Sequence, residues 1–165
     1  MGEPAVPPPM AELTVPLATV ASVIAAGQLG VFRALAEGSC APVELAQRLG
    51  VQEAGIARLV ELLGCVGYLQ READGRYANS SIPRAWLSPT SPVDFTPALL
   101  WAAEVWRLLE YLEASVRHGG PRQTMYEFMS EHPAAGRIFG QYMKATAQLA
   151  ATVVAETAYA GHVGH

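Results

Sequence analysis

Residues 41–79 read APVELAQRLGVQEAGIARLVELLGCVGYLQREADGRYAN, and the reading of this stretch decides the fold. Pro42 is well placed at a first helical position, and Leu45, Ala46 and Leu49 make one inner face, which predicts a short helix. A tight turn at Leu49-Gly50-Val51 follows. Ile56, Leu59, Val60, Leu63 and Val66 then recur at i, i+3, i+4, i+7 spacing, the pattern of a second amphipathic helix whose Glu53, Arg58 and Glu61 point elsewhere. Residues 68–71 and 76–79 alternate around an Asp74-Gly75 turn, as hairpin strands do. Helix, turn, helix and hairpin in that order describe a winged helix-turn-helix.

The flanks are helical. Residues 1–10 carry Pro4, Pro7, Pro8 and Pro9, so the first dozen residues (1–12) read as a flexible Pro-rich arm. From Thr14 the chain reads helical to about Ala26, breaks at Gly27, and resumes to Ala36. Apolar residues Leu17, Val20, Val23, Ile24, Val31 and Phe32 cover more than one face of it, so it needs cover from several sides. Residues 80–92, with Pro83, Pro89 and Pro92, form a connection holding at most a turn of helix at 84–87. A long helix follows to about Arg117, stopped by His118-Gly119-Gly120-Pro121, then a short helix at 125–129 and a last long helix from His132-Pro133 to about Ala158. The expected fold class is mainly α: a winged-helix-like helical domain with one small β-hairpin.

Composition narrows the function. A chain of 165 residues is about one domain and can bury a real core. Net charge is −4, and Lys144 is the only lysine, so no overall field attracts a polyanion. Within residues 41–79 the acids Glu44, Glu53, Glu61, Glu72 and Asp74 outnumber Arg48, Arg58, Arg71 and Arg76. Carboxylates so placed repel a phosphate backbone, which argues against nucleic acid. Residues 13–32 lack charge and approach a bilayer span, but Pro16, Gly27, Gln28 and Gly30 interrupt them and no basic residue precedes them, so neither a membrane nor a secretory role is expected. Cys40 and Cys65 sit in apolar or small-residue surroundings and read as buried free thiols of a cytoplasmic protein.

Catalytic and metal chemistry are not evident. His162 and His165 are three apart, but Gly161 and Gly164 interrupt them and no further ligand lies beside them, so no metal site is expected. His118 at a helix end meets the last carbonyls favourably. Gly136 and Gly140 have the spacing that lets helices approach closely. Trp101, Trp106, Met125, Phe128, Met129, Phe139, Tyr142 and Met143 suit a packed core first, and a pocket for a flat apolar molecule second. No Gly-rich strand-to-helix loop and no nucleophile setting is found, so no catalytic residue is assigned.

In order, LGVFRALAEG (29–38), ELAQRLGV (44–51), RLVELLGCVGYL (58–69), GRYANS (75–80), WRLLEYLEASVRHGGP (106–121) and FGQYM (139–143) resemble the N-terminal dimerisation domain of S-adenosylmethionine-dependent small-molecule O-methyltransferases, caffeate-type and bacterial polyketide-tailoring type. The resemblance implies that residues 13–160 are this domain, that its winged-helix unit binds no DNA, and that its first helices interlock with those of a second subunit. Leu17, Val20, Val23, Ile24, Val31 and Phe32 are then interface candidates in a homodimer. It implies that Trp106, Phe139 and Met143 line a pocket for a small aromatic acceptor, with Tyr142 added by helical adjacency. It also implies that residues 161–165 lead toward a Rossmann catalytic domain, in the same or a separate chain, which holds the S-adenosylmethionine that this segment alone does not bind. The alternatives are a stand-alone, non-catalytic relic that binds an aromatic metabolite or a partner protein, and a winged-helix transcriptional regulator.

Overall fold

A computed structural model describes residues 9–160, and the chain divides into two compact units, Met1–Pro83 and Arg84–His165, where length alone suggested one. The described residues are mainly helical with one two-stranded antiparallel sheet.

In the first unit α1 spans Pro9–Leu29, so residues 9–12, read as part of a flexible arm, are helical; residues 1–8 lie outside the described residues. Pro16 sits inside α1, where it removes one backbone donor. The hydroxyls of Thr19 and Ser22 donate back to the Val15 and Ala18 carbonyls at 2.9 and 2.6 Å. The helix passes through Gly27 and breaks instead at Gly30, whose φ of 80° is the left-handed conformation that glycine adopts without strain. The packing of α1 on α4 (Glu53–Cys65) outweighs the modest cost of a glycine within a helix. Beyond Gly30, α2 (Val31–Ala34) and a single 3-10 turn (Leu35–Glu37) turn the chain into α3 (Pro42–Leu49).

α3 begins with Pro42 as expected, and the Glu44 carboxylate reaches back to the Ala41 N–H at 3.1 Å. Gly50 at φ 65° ends it, and α4 buries Ile56, Val60 and Leu63. The hairpin pairs β1 (Leu69–Arg71) with β2 (Tyr77–Asn79) in the register Leu69 with Asn79 and Arg71 with Tyr77. Cys40 adds a bridge on the other edge of β2, exchanging two 3.0 Å backbone bonds with Tyr77. Arg76 then locks the hairpin to α3 with bonds to both Glu44 oxygens, at 3.1 and 2.9 Å, and to the Ser39 carbonyl at 2.7 Å. Cys40 is buried, whereas Cys65 is exposed at the last position of α4, which corrects the expectation that both thiols are buried.

α5 spans Ser81–Trp86. In the second unit the Phe95 N–H donates to the Trp86 carbonyl at 2.6 Å, and the two rings meet edge to face at 5.8 Å. Residues 87–94 make the loop between them, with Leu87, Ser88 and Val93 buried. The long helix expected to reach Arg117 is two helices, α6 (Thr96–Leu109) and α7 (Leu112–His118). At the break the Tyr111 N–H bonds the Leu108 carbonyl, three residues back, a tightened turn where the sequence offers no glycine or proline. α8 (Met125–Glu131) and α9 (Pro133–Ala160) complete the unit, and α9 packs on both α6 and α8.

Candidate functional site

The aromatic residues singled out in the sequence separate in the structure. Trp101, Phe128 and Ala135 form the buried centre of the second unit, with Met125, Met129, Phe139 and Tyr142 packed around them. The Trp101 and Phe139 rings lie 4.9 Å apart at a tilt of 53°. Phe128 is held by the His132 ring, stacked at 4.5 Å, and by the Arg107 guanidinium 5.9 Å from its centroid. His132 also places Nδ1 3.1 Å from the Phe128 carbonyl. Of the four acceptor candidates, Phe139 and Tyr142 therefore belong to this core, while Trp106 is half-buried outside the cluster and Met143 is 47% exposed. Gly136 meets Met129 at ordinary contact distance, but a Cβ at Gly140 would meet nothing within 4 Å, so the close helix approach expected at both glycines is confined to the first.

The α6–α7 break opens a groove that the sequence reading missed. Tyr111, Arg122, Gln123, Glu127 and Glu131 line a polar part of about 390 Å³. Tyr111, Arg122 and Gln123 also border an apolar part formed by Leu108, Leu109, Leu112 and Pro121. Arg122 lies over the Tyr111 ring at 5.6 Å, and Gln123 donates to Glu131 at 2.6 Å. Thr124 caps α8 by accepting from the Glu127 N–H at 3.3 Å, while the Glu127 carboxylate accepts from the Thr124 N–H at 2.8 Å. That backbone bond, reinforced by the Thr124 hydroxyl, holds the Glu127 carboxyl below its ordinary value. The Thr-x-x-Glu pattern at 124–127 was legible as a capping box.

The six dimer candidates also divide. Val23, Ile24, Val31 and Phe32 are buried within the chain itself, whereas Leu17 and Val20 remain 53% and 45% exposed. Leu13 and Val15 extend the exposed apolar surface. The stretch Glu12–Leu29 has the length and composition of a bilayer span. Among the described residues no group of three or more His, Cys, Asp or Glu is placed to hold a metal ion, and His162 and His165 lie outside those residues.

Residues 16–89 match the O-methyltransferase dimerisation domain. No curated protein matches the sequence significantly. Among solved structures, the chain is similar to human N-acetylserotonin methyltransferase in complex with SAM, with a TM-score of 0.76 and 19% identity over 90% of this chain and 48% of that one. It is similar to the mitomycin 7-O-methyltransferase MmcR, with a TM-score of 0.71 and 24% identity over 83% of this chain and 43% of that one. It is also similar to TnmH, with a TM-score of 0.68 and 26% identity over 86% of this chain and 43% of that one. The chain thus spans less than half the length of each of these structures.

Proposed function

We propose that this chain is the dimerisation and acceptor-lid half of an S-adenosylmethionine-dependent O-methyltransferase acting on a small aromatic or polyketide-type natural product. The observation that carries the reading is the match of residues 16–89 to the dimerisation domain, continued by a likeness of fold that runs far beyond residue 89. In this reading two copies pair through the exposed face of α1, including Leu17 and Val20. The second unit supplies the lid: Phe139 and Tyr142 anchor it in the Trp101 core, and the partly exposed Trp106 and Met143 turn toward the acceptor. Closing apolar side chains over an acceptor excludes water from a methyl transfer and orients the reacting oxygen.

The methyl donor does not fit the residues present. The only sheet among the described residues is a two-stranded hairpin, and no glycine-rich strand-to-helix loop accompanies it. Donor binding and catalysis are therefore assigned to the half of the relatives that this chain does not span. Reading the coding sequence past residue 165 is the first test: a Rossmann-type segment with such a loop supports the proposal, and a stop codon moves it to a free-standing binding partner. Titration of the chain with planar phenols, followed by tryptophan emission and repeated with Trp106→Phe, tests the lid. An emission change that Trp106→Phe leaves intact removes Trp106 from it.

A further inference from the structure

The groove at the α6–α7 break is a prepared space. The loop on its rim is tied down at both sides: the Arg122 N–H donates to the Ser115 hydroxyl of α7 at 3.4 Å, and Gln123 donates to Glu131 of α8 at 2.6 Å. A small molecule arriving there finds the charged groups already placed, so little ordering opposes its binding. The polar part, about 390 Å³, falls in the size range of small-molecule sites. The apolar part beside it, about 260 Å³, has a firm wall in Leu108, which packs back onto the Trp101 core. Its outer residues Leu109 and Leu112 are 54% and 59% exposed.

Charges of both signs line the polar part without pairing to each other. The Arg122 guanidinium lies over the Tyr111 ring at 5.6 Å and makes no ion pair or side-chain hydrogen bond with the described residues. Glu127 and Glu131 stand one turn apart on α8, where like charges repel. Each has Oε2 engaged, by Thr124 and by Gln123, while Oε1 has no partner among the described residues. A simple anion is repelled by the two carboxylates, and a simple cation by Arg122. A molecule carrying both charges close together, with an apolar substituent, meets all three groups and the apolar wall at once. We propose that this groove binds an α-amino acid, or an amino-acid-like zwitterion, with an apolar side chain. Its carboxylate lies on Arg122, its ammonium between Glu127 and Glu131, and its side chain against Leu109, Leu112 and Pro121. The site is independent of the methyltransferase reading.

Amide NMR on the full chain tests it, with L-phenylalanine as the probe. Titration should move the Tyr111, Arg122, Gln123 and Glu131 amides with a dissociation constant of about 1 mM, in keeping with so small a ligand. Phenethylamine, which lacks the carboxylate, and 3-phenylpropanoate, which lacks the ammonium, should each bind at least about tenfold more weakly, the scale of one charge-assisted hydrogen bond. Arg122→Gln should weaken phenylalanine by a similar factor and leave phenethylamine no weaker. Glu131→Gln keeps an acceptor for Gln123, and it should weaken phenylalanine while leaving 3-phenylpropanoate no weaker. Both side chains are exposed, so neither change threatens the fold. No shift at these amides with phenylalanine at several times the expected constant overturns the proposal. So does an analogue of either single charge that binds as well as phenylalanine, or an Arg122→Gln chain that binds it undiminished.

Discussion

Asn79 and Phe32 lie 47 residues apart in sequence, yet the Asn79 side-chain amide donates to the Phe32 carbonyl at 2.7 Å in a buried setting. The bond ties the end of β2 to the short helix α2. Asn79→Ala strands that acceptor away from water and should cost about 1–3 kcal/mol in urea unfolding. An unchanged midpoint would show that Phe32 finds another donor.

The pH response should run through Glu44. Its carboxyl is held below the ordinary value of 4.5, first by the Arg76 guanidinium and then by the Ala41 N–H. Because the folded state favours the ionised form, the contribution is complete above the unfolded value and is lost as pH falls through the lower folded one. The gap in urea midpoint between wild type and Glu44→Gln should therefore be widest near neutrality and narrow as the pH falls below the ordinary carboxylate value of 4.5. A gap that persists in acid would place the effect in packing instead.

The two thiols should be separable by reagent. Cys65 is exposed and should react at once with a soluble disulfide. Cys40 is buried, and burial raises its pKa, so it should react only as the chain unfolds. Two fast equivalents would contradict the bridge that holds Cys40 against Tyr77.

Core and lining residues on α9 should differ in stability. Phe139→Ala removes a ring packed 4.9 Å from Trp101 and should cost about 2–3 kcal/mol, reduced from the fully buried range by its partial exposure. Met143→Ala, at a side chain 47% exposed, should stay within about 0.5 kcal/mol. The reverse order in thermal denaturation would remove Phe139 from the core.

The cap of α8 offers a local readout. Thr124→Ala deletes the oxygen that accepts from the Glu127 N–H and should cost about 1 kcal/mol. Hydrogen exchange should quicken at the amides of Met125–Glu131 before it changes elsewhere.

Much of this architecture is written in local signals. Pro42 at the start of α3, Gly50 at its end and the Asp74-Gly75 turn each demand a backbone conformation, and the structure adopts all three. The break at Glu110-Tyr111 carries no such mark, because its residues are acceptable in a helix and the partner of Tyr111 is the distant Arg122. Helical phase explains two further surprises. Trp106 follows Trp101 by five residues, about 140° around the axis, so α6 cannot aim both into one core. Cys65 follows the buried Leu63 by about 200°, which turns it outward despite apolar neighbours. Exposure leaves still less trace, since an exposed leucine such as Leu17 on α1 looks the same in sequence as a buried one.

The clasp of Trp86 on Phe95 fixes both ends of residues 87–94 independently of what lies between them. Lengthening such a loop to twice its size adds only about 0.6 kcal/mol of closure entropy. The exposed tip at Pro89 and Thr90 is accordingly a graft point, where a fluorophore peptide or an affinity tag can be spliced into the chain while the clasp keeps α5 and α6 in place.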